Sequence, residues 1–246
     1  MGSERMIVAV AEPGRGHVDH EPAVRHPVRA GLTMRHRAAR ELIVELNRRC
    51  VTDGLSTGTS GNLSVRVPEG ILITPSGRAP RRTEPDDICL VGFDGVPLAG
   101  ELRPSSEVPM HLAVYAATDA RAVVHTHSPM ATAVSITHAE LPAVHYAVDD
   151  LGGPVRVAPY ATFGTPELAA NIVTALGGRT AAIMQNHGAI TVGRTLEQAY
   201  ERSMLLEWLC TLFFHAVQLG TPRVLSQDEL RDVREQMARL RYGSAP

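Results

Sequence analysis

The sequence contains no lysine: all 24 of its basic residues are arginine. A Schiff-base mechanism needs a lysine amine, so lysine-dependent aldol chemistry is excluded. A Walker-type phosphate loop is excluded for the same reason, because its lysine must reach the phosphates. Cysteine is scarce as well. Cys50, Cys89 and Cys210 are odd in number and far apart, which gives neither a disulfide framework nor a paired-cysteine zinc motif and makes a reducing cytoplasmic compartment the expectation. The formal charge is only -2, so no electrostatic footprint for nucleic acid or an anionic membrane is present. No apolar run approaches the roughly 20 residues that cross a bilayer, and the burst "MIVAV" near the start is too short and too close to acids for a signal peptide.

What is present describes an ordinary globular chain of 246 residues, 44% apolar and 20% charged, long enough to bury one sizeable core. Residues 1–31 are rich in Gly, Pro, His and charge without a sustained period, and are expected to be a mobile extension before a single domain over 32–246. Segment 34–54 predicts a helix with Ala38, Leu42, Leu46 and Cys50 on one stripe and Asp53-Gly54 as its stop. "GNLSVRV", "GILITPSG" and "DICLVGFDG" read as short strands punctuated by turns. A helix follows over 105–117, capped by Ser105 or Ser106 with Glu107 in its first turn. "RAVVHTHS" is a buried strand, and "PMATAVSIT" a short helix opened by Pro129. Further helices are expected over 165–176, 195–219 and 226–240, with strand, turn and strand in "TAAIMQNHGAITVG". Strand pairs outnumber regular strand–helix alternation, which predicts an α/β fold on a mixed sheet with flanking helices rather than a doubly wound parallel one.

Within "VVHTHSP", His125 and His127 sit one residue apart at the exit of an apolar run. On a strand, period-two alternation sends both rings to the same face. His187, in the turn "QNHGA", is a candidate third ligand, and three neutral imidazoles with an open position are one way to hold catalytic zinc. The residues alone leave a metal site and three satisfied strand-end histidines both open. "TGTSGNLS", "TPSGR" and "RPSSE" each combine hydroxyls with glycine or a helix start, the makings of either ordinary turns or lysine-free phosphate cradles. Glu107 is a dipole-complementing acid or a general acid/base beside a metal. Tyr146 is a half-buried sheet tyrosine or a proton donor. Asp149-Asp150 reads as a solvated loop pair, and Met204, Leu205, Trp208, Leu209, Leu212 and Phe213 as a helical stripe of core or subunit interface.

Taken together, "GTSGNLSVR", "ILITPSG", "PSSE", "AVVHTH", "ATAVSI", "PAVHY", "APYATFGT" and "QNHGA" resemble, in order, the class II aldolase/adducin family, most closely the L-fuculose-1-phosphate aldolases. The resemblance runs from about Met34 to Tyr242. It implies a three-layer α/β/α fold on a mixed, mainly antiparallel sheet, and a homotetramer with active sites between subunits. It further implies that His125, His127 and His187 bind zinc, with Co²⁺ or Mn²⁺ as substitutes, and that Glu107 completes the metal shell and then acts as acid/base. Thr59, Gly61, Asn62, Ser76, Gly77, Ser105 and Ser106 match the family's phosphate loops. Tyr146 matches a tyrosine offered from the adjacent subunit, and Tyr242 a tyrosine of the C-terminal tail.

The activity so implied is retro-aldol cleavage of a ketose 1-phosphate such as L-fuculose 1-phosphate, giving dihydroxyacetone phosphate and an aldehyde such as L-lactaldehyde. Zinc would fill the place that a lysine iminium fills elsewhere, which agrees with the missing lysine. The family also holds pentulose-phosphate 4-epimerases, a methylthioribulose-phosphate dehydratase and non-catalytic adducin-like interaction domains. The epimerases generally carry Asp where this chain has Glu107, and an interaction domain has no need of the ligand histidines. Both points favour an aldolase.

Overall fold

The turn-punctuated strands run Asn62–Val67 (β1), Gly70–Ile73 (β2), Cys89–Gly92 (β3), Pro97–Ala99 (β4), Ala122–Thr126 (β5), Glu140–Leu141 (β6), Val155–Ala158 (β7), Ala181–Met184 (β8) and Gly188–Gly193 (β9) in a computed structural model of the chain, which describes residues 36–240. The expected extension over 1–31, and Tyr242, lie outside the described residues. Among the described residues the strands form one sheet in the order β4-β3-β2-β1-β5-β9-β8-β7-β6. Every neighbouring pair is antiparallel except β7 with β8, so the fold is the expected mixed, mainly antiparallel α/β sheet.

Among the described residues six α-helices flank it: Arg37–Thr52 (α1), Val108–Ala117 (α2), Pro129–Thr137 (α3), Pro166–Leu176 (α4), Leu196–Leu219 (α5) and Gln227–Leu240 (α6). Alternation along the strands sorts them into layers. Ile71, Ile73 and Val123 pack against Val114, Leu168 and Ile172 of α2 and α4. Their chain neighbours Leu72 and Val124 face the other way, onto Ile43, Leu46 and Leu196 of α1 and α5. Farther along that second face, Ile183 and Ala189 meet Val134, Leu209, Phe213 and Leu230 of α3, α5 and α6.

Local chemistry starts several of these helices where the sequence places them. Thr165 accepts from Leu168 N–H and Thr195 from Gln198 N–H. Ser226 and Glu229 form a reciprocal capping box. The stripe expected on α1 holds at Leu46 and Cys50, with Leu42 half-buried beside them, and fails at Ala38. The helix buries Arg40, Ile43, Val44, Leu46, Asn47 and Cys50, while Ala38 is exposed. The reason is Arg40, whose guanidinium crosses the inner face to donate to the Pro85 and Ile88 carbonyls; apolar spacing gives no hint of such a residue.

Three central strands set the site. Asn62 of β1 lies opposite His125 of β5, and His125 lies opposite Ile190 of β9. The start of β1, the end of β5 and the β8–β9 turn therefore meet at one end of the central strands.

Candidate functional site

His125 is the next-to-last residue of β5, a strand buried throughout, and His127 is the first residue after it. Their ring centroids are 4.8 Å apart. The ring of His187, carried by the β8–β9 turn, lies 5.0 Å from that of His125 and 4.8 Å from that of His127. That turn depends on its neighbours. Asn186 takes a left-handed φ of 55°, which Asn tolerates, and its N–H donates to Ser135 Oγ at 3.0 Å. At Gly188 any Cβ would sit 2.2 Å from the Thr126 carbonyl oxygen, so only glycine lets the hairpin lie against the end of β5. Gly61 does the same on the other side, with φ +80° and a Cβ position 2.8 Å from the His125 carbonyl oxygen.

Glu107 is the N-cap of α2 rather than a residue of its first turn. Its N–H donates to Ser105 Oγ at 3.2 Å, and the carboxylate turns inward to the histidines instead of toward the helix dipole. Oε2 is 3.1 Å from His125 Nε2 and accepts from Asn62 Nδ2 at 2.8 Å. Oε1 is 3.6 Å from His187 Nε2 and, although buried, has no hydrogen-bond partner among the described residues. One ligand atom from each of Glu107, His125, His127 and His187 lies within 4.8 Å of all the others. His125 and His127 bring their Nε2 atoms to 3.0 Å, a spacing that needs a shared proton or cation between two lone pairs. With His125 Nδ1 donating to the Ala189 carbonyl at 2.9 Å, the neutral ring is fixed as the tautomer whose Nε2 lone pair faces the cluster. Three imidazoles and an orphaned carboxylate oxygen suit a tetrahedral divalent ion.

The titration behaviour follows from burial and crowding. Burial, then the proximity of His125 and His187, lowers His127 to about 3, and burial, then His125, lowers His187 to about 4. Both rings are thus neutral and available as ligands at ordinary pH. Burial works against charge on Glu107, yet His125, the Asn62 amide and His187 outweigh it and hold the carboxyl well below its usual range. His125 moves the other way: burial opposes its charged form, and Glu107 overrides that opposition.

The cluster floors a cleft of about 490 Å³. Thr59, Gly61, Asn62, Ser76, Gly77, Ser105 and Ser106 all line it, together with Glu107, His127 and His187; His125 lies buried beneath. The structure therefore brings together loops 57–64, 74–78 and 103–107, joined also by the Pro75–Pro104 bridge. The sequence reading overlooked Tyr160, Ala161, Phe163 and Asn186, which complete the wall; "APYATFGT" offered an aromatic signal but no register to aim it. Tyr146 is elsewhere. It begins a 3-10 helix, stacks on His145, is 45% exposed, and lines a separate groove with Val233, Gln236, Met237 and Leu240 of α6. Of the pair read as a solvated loop, Asp150 is exposed, but Asp149 is largely shielded and pairs with Arg234 of α6. No helix among the described residues is long and apolar enough to cross a membrane.

The sequence model of the family described as Class II Aldolase and Adducin N-terminal domain matches residues 41–214. A 5-methylthioribulose-1-phosphate/5-deoxyribulose-1-phosphate aldolase of Rhodospirillum rubrum is 39% identical over 200 residues, which is 80% of this chain and 90% of that protein. The L-fuculose phosphate aldolase of Escherichia coli K12 is 39% identical over 207 residues, 82% of this chain and 94% of its own. A solved L-fuculose 1-phosphate aldolase superposes with a TM-score of 0.80 at 34% identity, covering 84% of this chain and 99% of that one.

Proposed function

This chain belongs to the class II aldolase and adducin family and is an aldolase of that metal-dependent class, and from that premise we propose that it performs zinc-dependent cleavage of a ketose 1-phosphate of the L-fuculose 1-phosphate kind. The products would be dihydroxyacetone phosphate and an aldehyde such as L-lactaldehyde. The observation that carries the reading is the convergence of three imidazoles and Glu107 at the floor of a cleft rimmed by hydroxyl- and glycine-rich loops.

In this reading His125, His127 and His187 hold the ion, and Glu107 holds it at rest. Zinc suits three-imidazole ligation, with Co²⁺ or Mn²⁺ as substitutes. A zinc ion bound there supplies Lewis acidity that stabilises negative charge developing on substrate oxygens. Thr59, Gly61, Asn62, Ser76, Gly77, Ser105 and Ser106 seat the phosphate through hydroxyls and backbone N–H groups. Glu107 carries the proton to and from the carbon that the broken C–C bond leaves electron-rich, for which its unpartnered Oε1 is available. Tyr146 handles the proton at the aldehyde oxygen of a neighbouring copy, since it does not line its own cleft. Its surroundings support an assembly role: the His145 ring meets Trp208 edge-on at 5.0 Å, and Trp208, Met204 and Phe214 of α5 are exposed. Only Leu209 and Phe213 of the stripe expected there are buried. Tyr242 is proposed to act from the C-terminal tail.

A second substrate reading comes from the 39% identical Rhodospirillum rubrum relative, and the wall of Tyr160, Ala161 and Phe163 fits it as well as it fits the first. The wall suits an apolar substrate terminus, which 5-methylthioribulose 1-phosphate and 5-deoxyribulose 1-phosphate share with the 6-deoxy sugar. The test pairs metal analysis with dihydroxyacetone phosphate release from all three sugar phosphates. About one zinc per chain with chelator-sensitive release is expected, and light scattering should give the mass of a homotetramer. Zinc without release from any of them would move the assignment to an epimerase or dehydratase; no zinc uptake at all would leave an interaction domain.

A further inference from the structure

Behind the cleft runs a row of buried polar side chains. Asn62 and Ser64 are alternate residues of β1 and so face the same side of the sheet. Glu107, His111 and Tyr115 stand four residues apart on the facing side of α2. The two sets interleave. Tyr115 Oη is 2.8 Å from Ser64 Oγ, Ser64 Oγ is 2.6 Å from His111 Nδ1, His111 Nε2 is 2.6 Å from Asn62 Oδ1, and Asn62 Nδ2 is 2.8 Å from Glu107 Oε2. His111 and Ser64 are both 0% exposed, and Tyr115 is 2% exposed.

For a neutral His111 the direction of every bond is determined. A carboxylate only accepts, so the Asn62 amide must turn its nitrogen to Glu107 and its oxygen to His111. That oxygen needs a donor, so His111 carries its proton on Nε2. Nδ1 of the neutral ring is then a bare acceptor, and Ser64 must donate to it. Ser64 then accepts from Tyr115, whose phenol burial keeps protonated. All the donors point toward Glu107, and reversing any one of them leaves a buried acceptor unpaired.

We infer that His111 is a positioning residue for Glu107: through Asn62 it locks the carboxylate with Oε2 engaged and Oε1 turned to the reaction centre. The inference rests on Glu107 as the proton carrier of the proposed reaction. Without His111 the Asn62 amide is free to rotate, and a flipped amide sets its oxygen against Oε2 and drives the carboxylate away.

The test uses the full-length enzyme with His111→Leu and His111→Gln, the latter restoring an amide donor toward Asn62. Crystal structures of the metal-free variants are read first. In His111→Leu, Glu107 should leave its bond to Asn62, and in His111→Gln it should keep it. On the zinc-loaded enzyme, His111→Leu should lower kcat by about 10- to 100-fold with little change in KM, the usual reach of groups that orient a metal shell. His111→Gln should recover most of the loss. A leucine variant with Glu107 in place and kcat unchanged overturns the inference, as does a kcat loss that glutamine fails to rescue while Glu107 keeps its position. If the leucine variant does not fold, Ser64→Ala removes the hydroxyl that donates to His111 and is read in the same two ways. An inactive wild type would count against the proposed reaction, whereas the crystallographic position of Glu107 still decides the role of His111.

Discussion

His127 borders the cleft, while His125 is fully buried and committed at both ring nitrogens. Removing the first therefore costs a proposed ligand with little damage to the core; removing the second also strands the Ala189 carbonyl. His127→Ala is expected to fold normally but to lose both bound zinc and turnover, checked by elemental analysis and circular dichroism on one preparation. Glu107→Gln should separate the two losses. Its amide oxygen can still accept from Asn62, and three imidazoles still hold the ion, but the group can no longer carry a proton. Zinc content should stay near the wild-type level while kcat falls by about 10²- to 10⁴-fold. A freely active Glu107→Gln would sink the acid/base role. At this scale the histidine pair was legible in the sequence because period two is a local rule. The side-chain commitment of Asn62 was not, since it depends on His111, which is 49 residues away in the chain and was never singled out.

Among the elements, the β8–β9 hairpin most directly governs whether the ligands meet. Gly188 has no positive φ; the constraint is space alone, with the Thr126 carbonyl where a methyl would go. Gly188→Ala must push the hairpin off β5 and carry His187 with it. We expect a stability loss on the order of 1–3 kcal/mol, as for other overpacked positions, together with weakened zinc binding measured by titration against a chelator. Unchanged zinc affinity would show that the turn adapts without moving His187. Helix starts at Thr165, Thr195 and Ser226 could be read from the chain because capping is local. The short strands β4 and β6 could not, because pairing with β3 and β7 defines them rather than any pattern of their own. The outward turn of Ala38 on α1 belongs to the same class: a distant pair of carbonyls decides which way Arg40 faces.

Across the whole molecule, layers and ligand convergence join residues far apart in sequence, and only the ordered match of many segments to a family made them legible in advance. The assembled core then couples folding to pH. His111 and His127 are lowered from 6.5 to about 3, and His187 from 6.5 to about 4, with burial the leading cause each time. In the unfolded chain these rings take up protons near pH 6.5, but in the folded one only far below. The unfolded state thus binds more protons throughout that window, and stability must rise with pH across it. Glu107, lowered from 4.5, adds stability above that value that is lost as pH falls further. His125 is raised and acts oppositely, contributing below pH 6.5 and losing its contribution as pH climbs through its folded value; it is one ring against three. His111 is fully buried and supplies the largest share, on the order of a few kcal/mol, while solvent at the cleft screens His127 and His187. Metal-free enzyme should therefore melt at progressively lower temperature as pH is taken from about 7 to about 4.5, the fall being steepest below the ordinary histidine range. Zinc-loaded enzyme should fall more sharply, because protons then compete with the ion for the same imidazoles. Thermal unfolding at stepped pH, with and without chelator, checks both. A melting temperature independent of pH over that interval in the metal-free protein would mean that these rings are protonated within the fold, and would remove the basis for His127 and His187 as neutral ligands.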